Sequence, residues 1–466
     1  MPSIATLIHN AIIFDDCGRY SGYLAIDTDG YIAETAPGMP SESMISASQT
    51  IIDAKGAWLL PGVIDEHVHF RDPGLTDKAD ISTESLAAAA GGVTSVMDMP
   101  NTIPPTVTID AWEEKMRLYA QKSVVNYSCW IGASSDNFDQ LEKVDWSKTP
   151  GVKIFAGTST GNMAVNDNDL YNRIFTEIPA IKAIHSEDDA IISANALKMS
   201  EKYGSPEKVP VKHHPDIRSR QACTECTRRL VELQQSTKAR MQIMHVSTSD
   251  ELQFFAIGDG TDSHKLLTAE TCVQYLWWDD SDYESLGARI KCNPAIKRKA
   301  DKEALRQAVN DGLIDIIATD HAPHMPADKE GGALKAASGI PLIQFALPMM
   351  LELDRKNIFP AETVVEKMCH APARIFNIDR RGYIRKGYHA DITLISAGDT
   401  PYKVDASDIK NKCGWSPLEG TVLHHRVLAT WVNGQKVWEY DTEALSVKHK
   451  AAMPLIFNYS QKTNDI

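Results

Sequence analysis

The segment that decides the fold reads Asp65-Glu66-His67-Val68-His69-Phe70-Arg71. Successive residues of a β-strand point to opposite faces, so residues two apart share a face. His67 and His69 therefore point to the same side of a strand that ends here. We predict that this strand delivers two imidazoles to one interior space at its carboxyl end.

Strands and helices alternate through the long middle of the chain. Helical stretches, such as residues 83–90 and 111–121, lie between most of the candidate strands. This alternation is typical of a parallel sheet, and eight such units favour a (β/α)8 TIM-like barrel over an open sheet. The candidate strands end in segments 65–70, 96–99, 129–132, 154–156, 183–186, 244–246, 267–270 and 317–320.

Both ends of the chain have short β patterns instead. The turn signals Asp29-Gly30 and Asn433-Gly434 each separate two candidate strands. We predict one small β-sandwich domain made from residues 1–57 together with 385–445. The barrel would then span residues 58–384, and residues 446–466 would form a C-terminal tail on the surface.

The bulk composition limits the partners and the compartment. The 466 residues are 43% hydrophobic, which is enough for a large core, and the net charge of -14 argues against nucleic acid or anionic membrane partners. No apolar run approaches the length of a membrane span, and no secretory signal is evident. Eight scattered cysteines are consistent with reduced thiols, so we expect a cytoplasmic protein.

Chemically active side chains fall at the predicted strand ends, where barrels carry their active sites. Imidazoles and a carboxylate from separate strands are typical ligands of zinc or a similar divalent metal. A single histidine is more often an ordinary core residue, but that explanation fails for a set on separate strands. The residues expected to converge are His67, His69, Lys153, His185, His245 and Asp320.

Lys153 is the unusual member of this set, because a protonated lysine cannot bind a metal. Two interpretations remain open from the residues alone. The ammonium group reaches solvent, or the neutral amine adds carbon dioxide and becomes a carbamate. A carbamate has two oxygens and can bridge two cations.

Several motifs, in order along residues 55–380, resemble those of the amidohydrolase superfamily and, within it, of the dihydroorotases. This resemblance implies a barrel with a flanking β-sandwich, a small-molecule substrate and a homodimer. The implied activity is the reversible conversion of (S)-dihydroorotate to N-carbamoyl-L-aspartate in pyrimidine biosynthesis. The motifs are PGVIDEHVH at 61–69, HVHFRDPG at 67–74, DMPNT at 98–102 and ATDHAPH at 318–324.

The resemblance also implies the metal ligands. His67 and His69 are expected to bind one divalent ion together with Asp320, and His185 and His245 to bind a second. Zinc is the expected metal for both positions.

Two further roles follow from the same resemblance. Lys153, carboxylated by carbon dioxide, is expected to bridge the two ions. A hydroxide held between the metals is expected to attack the ring amide, with Asp320 as the general acid and base.

Substrate binding is expected to depend first on Arg71, whose planar guanidinium can donate two parallel hydrogen bonds to the carboxylate of dihydroorotate. The alternative for Arg71 is a salt bridge, for example with Asp72 or Asp77. Resemblance adds four further substrate contacts, which are Asn101, Asn293, His324 and Gly339.

Two other functions remain open. The allantoinases, and the dihydropyrimidinases or hydantoinases, are expected to share the same metal site. They lack Arg71 in combination with the Pro-Asn-Thr segment at 100–102. An inactive dihydroorotase-like scaffold is a non-enzymatic alternative. Such scaffolds have lost metal ligands, whereas all six residues are present here.

Overall fold

The computed structural model describes residues 3–156, 168–258, 265–440 and 451–458. The N-terminal residues form a β unit in which β1 pairs antiparallel with β2 and parallel with both β4 and β5. Strand β2 also pairs antiparallel with β3. These strands are β1 (Ile4–Asp15), β2 (Gly18–Asp27), β3 (Ile32–Pro37), β4 (Ser48–Asp53) and β5 (Trp58–Pro61).

The middle of the chain forms the predicted (β/α)8 barrel. Neighbouring strands pair in parallel and in chain order, and a parallel bridge from Val68 to His321 joins the last strand region to the first. The third strand is interrupted at Trp130 and is therefore split into β8 and β9. The barrel strands are β6 (Val63–Val68), β7 (Val93–Asp98), β8 (Asn126–Cys129), β9 (Ile131–Gly132), β10 (Gly151–Phe155), β11 (Ile181–His185), β12 (Met241–Ile243), β13 (Leu267–Cys272) and β14 (Ile316–Ala318).

The C-terminal strands complete the sheet that the N-terminus begins. β15 pairs with β5 on one side and with β18 on the other. Asn433 and Gly434, between β18 and β19, both have positive φ, 49° and 76°, as a tight hairpin turn requires. The β domain built from both chain ends is thus confirmed. Its remaining strands are β15 (Ile392–Ile395), β18 (Val427–Val432) and β19 (Gln435–Glu439). The short strands β16 (Tyr402–Lys403) and β17 (Val422–Leu423) pair with each other in a separate sheet.

The first domain boundary differs from the prediction. β5, which the prediction assigned to the barrel, lies in the sheet made by the chain ends. Only Gly62 separates β5 from β6, and a Cβ there would lie 2.1 Å from Thr94 Oγ1. The two domains therefore meet at Gly62, because the chain passes directly from one sheet into the other.

Local sequence explains where the principal helices begin. Side chains of Asp80, Thr108 and Ser219 each accept a hydrogen bond from a first-turn N–H of the helix that follows. None of the described helices is long and apolar enough to cross a membrane. The α-helices are α1 (Glu42–Ala47), α2 (Ile81–Ala90), α3 (Ile109–Lys122), α4 (Phe138–Leu141), α5 (Asn168–Glu177), α6 (Asp189–Tyr203), α7 (His214–Ile217), α8 (Arg220–Thr237), α9 (Val273–Trp277), α10 (Tyr283–Leu286), α11 (Lys299–Asn310), α12 (Gly332–Lys335), α13 (Ala346–Arg355), α14 (Ala361–Val365) and α15 (Ala371–Ile375).

Residues 451–458 pack against the barrel, which differs from the surface tail that we expected. Ala451, Leu455 and Phe457 are buried, and the Leu455 N–H donates to Tyr127 O at 2.8 Å. The segment is too short and too isolated for its apolar residues to predict this contact. The other residues of the expected tail, 446–450 and 459–466, lie outside the described residues.

Candidate metal centre

One cavity of about 500 Å³ opens at the carboxyl ends of the barrel strands. Its wall contains every side chain that the sequence assigned to metal binding. It also contains the residues assigned to substrate binding, including the backbone of Gly339. The set is His67, His69, Arg71, Asn101, Lys153, His185, His245, Asn293, Asp320, His324 and Gly339.

The first histidine pair converges on Asp320. The Nε2 atoms of His67 and His69 lie 3.3 and 3.2 Å from Asp320 Oδ1. The opposite nitrogens are occupied, because His67 Nδ1 donates to Glu270 Oε1 and His69 Nδ1 to Asn101 Oδ1, both at 2.8 Å. With the protons on Nδ1, two nitrogen lone pairs face a carboxylate oxygen. Three acceptors directed at one another fit a bound cation.

The second histidine pair has a similar arrangement. His185 Nδ1 and His245 Nε2 lie 2.8 Å apart. The other nitrogen of His185 is 2.9 Å from Glu187 Oε2, and a carboxylate partner places the proton on that nitrogen. The Nδ1 lone pair therefore faces His245, and the pair fits a second cation. Burial, above all, lowers the pKa of His245 well below its usual value, which favours the neutral form that binds metals.

Lys153 does not reach solvent, so that interpretation of the sequence is wrong. The side chain is buried, and its Nζ lies 2.9 Å from Met244 Sδ and 5.0 Å from the centre of the Phe155 ring. Burial lowers the pKa of Lys153, although Glu270 and Asp320 oppose the effect. A buried amine with a lowered pKa is more available as a nucleophile than an ordinary surface lysine.

Three site residues adopt left-handed backbone conformations that are uncommon outside glycine. The φ angles are 66° for Arg71, 43° for His245 and 48° for Asp320. Each residue follows the end of a barrel strand, where the chain turns away from the sheet. Such conformations concentrate at functional sites, where the surrounding fold holds them.

Arg71 lies on the cavity wall, and its side chain is almost fully buried. Its Nε donates to Pro323 O at 3.3 Å, and its Nη2 lies 3.1 Å from His324 Nε2. Among the described residues no carboxylate lies within salt-bridge distance of the guanidinium. Asp72 pairs with Lys122 instead, at 2.6 Å. The buried cation therefore retains donors for a group that enters the cavity.

The other predicted substrate residues also reach the cavity. Asn293 Oδ1 lies 3.2 Å from His214 Nε2. Gly339 has φ of 146°, and a Cβ there would lie 2.3 Å from Ala322 O, so a side chain would not fit. The Gly339 N–H donates to Lys291 O at 2.8 Å. This bond ties the Gly339 loop to the segment that follows β13, the seventh barrel strand.

Sequence reasoning missed the two carboxylates that orient the histidines. Glu270 ends the seventh predicted strand and contacts His67, the backbone N–H of His245 and Gln242. Glu187 contacts His185 and also pairs with Arg218. Glu187 follows His185 by only two residues, just beyond the end of β11, so its closeness in sequence was a usable signal.

Comparison with known proteins identifies the family. The model of the amidohydrolase family matches residues 58–437. A dihydroorotase of Methanosarcina acetivorans is 32% identical over 85% of both chains, and an allantoinase of Bacillus velezensis is 30% identical over 88% of this chain and 89% of its own. The solved L-hydantoinase (dihydropyrimidinase) of Arthrobacter aurescens superposes with a TM-score of 0.88 at 27% identity, covering 97% of this chain and all of its own. The chain therefore belongs to the amidohydrolase family, as one of its cyclic amidohydrolases.

Proposed function

We propose that this protein is a dihydroorotase, which interconverts (S)-dihydroorotate and N-carbamoyl-L-aspartate. The observation that carries this proposal is Arg71. Its buried guanidinium has no carboxylate partner among the described residues, and it lies in the same cavity as the candidate metal ligands. A carboxylate on the substrate ring would satisfy it, whereas an uncharged ring would leave a buried charge unpaired.

The cavity fits two divalent ions, for which we propose zinc. His67, His69 and Asp320 would hold one ion, and His185 and His245 the other. Lys153, as a carbamate, would bridge them. When bound, such ions lower the pKa of water and polarise a ring carbonyl.

The protein's own groups then have defined tasks. Asp320 accepts a proton from the attacking water and delivers it to the ring nitrogen as the carbon–nitrogen bond breaks. Arg71, Asn101 and His324 bind the ring carboxylate and fix the orientation of the ring. Asn293 and the loop at Gly339 line the other face of the cavity.

An amide ring with an apolar substituent is the second candidate substrate, and one observation favours it. The flank of the cavity along α6, α7 and α12 is apolar, whereas the part of the wall formed by Arg71 is charged. Dihydroorotate has no apolar group that would use this flank, whereas a 5-substituted hydantoin has one. The flank consists of Ile192, Ala196, Ile217, Ala333 and Leu334.

A substrate panel on zinc-loaded protein separates the candidates. We expect the highest kcat/KM with dihydroorotate, and lower values with dihydrouracil, allantoin, hydantoin and 5-isobutylhydantoin. Turnover of dihydrouracil or of the substituted hydantoin without turnover of dihydroorotate would contradict the proposal.

The carbamate has its own test in the same preparation. Mass spectrometry under non-denaturing conditions, or ¹³C NMR after exchange with labelled bicarbonate, should detect one carbon dioxide on Lys153. An unmodified Lys153 in fully zinc-loaded, active protein would contradict the bridging role.

A further inference from the structure

His324 stands between two cationic side chains, and its two nitrogens have different neighbours. On the cavity side, Nε2 lies 3.1 Å from Arg71 Nη2 and 3.1 Å from Ser338 O. On the other side, Nδ1 lies 3.3 Å from Lys78 Nζ. Lys78 is not among the residues that the family motifs assign to substrate or metal.

These contacts decide which nitrogen carries the proton. An ammonium group only donates, so Nδ1 must accept from Lys78, and the proton of the neutral ring then lies on Nε2. That N–H faces Ser338 O, which only accepts, so two of the three contacts are satisfied. The other tautomer would satisfy the Arg71 contact alone and would place Nδ1–H against the Lys78 ammonium.

The imidazole is neutral in this environment. Burial, then the charges of Arg71 and Lys78, lower the pKa of His324 to about 2. The backbone of His324 is also held, because Trp415 Nε1 donates to its carbonyl oxygen at 2.8 Å. Lys78 is itself held by Asp328, whose Oδ2 lies 3.4 Å from Nζ.

We propose that Lys78 is a positioning residue that keeps His324 in the Nε2–H tautomer, so that His324 and Arg71 present neighbouring N–H groups to an anionic group of the substrate. The identification of that group as the ring carboxylate rests on the proposed dihydroorotase function. In this tautomer Arg71 Nη2 and His324 Nε2 are two donors that lie 3.1 Å apart, and Ser338 O, also 3.1 Å from Nε2, accepts from the His324 N–H. An oxyanion that enters beside both donors accepts from Arg71 and competes with Ser338 O for the His324 Nε2–H.

Loss of the Lys78 charge has a specific consequence. Asp328 Oδ2 lies 3.8 Å from His324 Nδ1, and once Lys78 is removed it becomes the nearest charged neighbour of that nitrogen. A carboxylate there favours Nδ1–H. Nε2 then carries a lone pair that accepts a hydrogen bond from Arg71. This contact occupies one guanidinium donor, and the lone pair on Nε2 repels an incoming carboxylate.

The direct test reads the tautomer of His324 by ¹⁵N NMR in zinc-loaded protein labelled at histidine, without substrate. The His324→Asn variant assigns the signal. We expect the Nε2–H tautomer in the wild type and in Lys78→Arg, and a shift toward Nδ1–H in Lys78→Met. The control is Lys302→Met, since Lys302 is a similarly buried lysine that pairs with Asp279 at 2.7 Å, outside the cavity wall.

Kinetics supply the second readout. We expect Lys78→Met to raise the KM for dihydroorotate about tenfold, with kcat within about twofold, and Lys78→Arg to restore most of the loss. For dihydrouracil, which has no carboxylate, Lys78→Met should leave KM unchanged.

The outcomes separate the two proposals. An Nδ1–H tautomer in the wild type, or an Nε2–H tautomer that persists in Lys78→Met, overturns the role of Lys78. If Lys78→Met does not fold, the wild-type tautomer alone decides. Failure to turn over dihydroorotate overturns the proposed function instead, and the NMR result does not depend on it.

Discussion

The two ends of the cavity have opposite hydrogen-bonding character. At one end the Nε2 lone pairs of His67 and His69 face an oxygen of Asp320, so acceptors face acceptors. At the other end Arg71 and His324 present neighbouring donors. The first arrangement fits a cation, and we propose that the second receives an anion. This difference supports the proposed substrate, whose reacting amide would lie at the metal end and whose carboxylate would lie at the donor end.

Each end is supported by a residue of its own kind. Glu270, a carboxylate acceptor, fixes the proton of His67, and Lys78, a cationic donor, fixes that of His324. Asn101 also belongs to the acceptor end, since its Oδ1 accepts from His69, and it lines the same cavity as Arg71. Each supporting residue determines which nitrogen of its histidine carries the proton. The histidine therefore turns either a lone pair, which suits a cation, or an N–H group, which suits an anion, toward the cavity.

Loss of the acceptor end should have the largest effect. We expect Asp320→Asn to lower kcat by about 10⁴-fold, because both a metal ligand and the proton carrier are lost. Assays with dihydroorotate and measurement of bound zinc test this. Asp311→Asn, at an exposed position, is the control; activity within tenfold of the wild type in Asp320→Asn would contradict the assignment.

A smaller loss is expected when only the support of the acceptor end changes. Glu270→Gln removes the negative acceptor for His67 Nδ1, so the imidazole becomes a weaker ligand. We expect zinc affinity to fall by about 10–100-fold in competition with a chelator. Thermal unfolding of the metal-free forms serves as the control, and unchanged affinity would mean that Glu270 has no orienting role.

The smallest catalytic effect is expected at the apolar flank of the cavity, to which Ile217 belongs. Ile217→Ala should lower the free energy of unfolding by about 2–4 kcal/mol, as does the control Ile174→Ala, since both side chains are buried. If dihydroorotate is the substrate, its KM should change less than about twofold in both variants. A rise in KM for 5-isobutylhydantoin in Ile217→Ala but not in Ile174→Ala would favour the second candidate, an amide ring with an apolar substituent.

The sequence predicted the barrel and the residues that converge at its mouth, because strand alternation places His67 and His69 together and fixes which strand ends share a face. It did not predict the partners of those residues. Glu270 and His67 are 203 positions apart, and Lys78 and His324 are 246 apart, so only the folded chain brings them within hydrogen-bond distance. The packing of residues 451–458 was missed because so short a segment buries too few side chains to produce a clear period.

The most direct test of the two-ended cavity is the ratio of kcat/KM for dihydroorotate to that for dihydrouracil, in wild type and in Arg71→Met. Arg306→Met is the matched control, since Arg306 donates to Leu276 O at 2.8 Å and does not line the cavity. We predict that Arg71→Met lowers kcat/KM for dihydroorotate by about 100-fold and leaves that for dihydrouracil unchanged or higher. An equal loss for both substrates, or no loss for dihydroorotate, would contradict an anion site at the donor end.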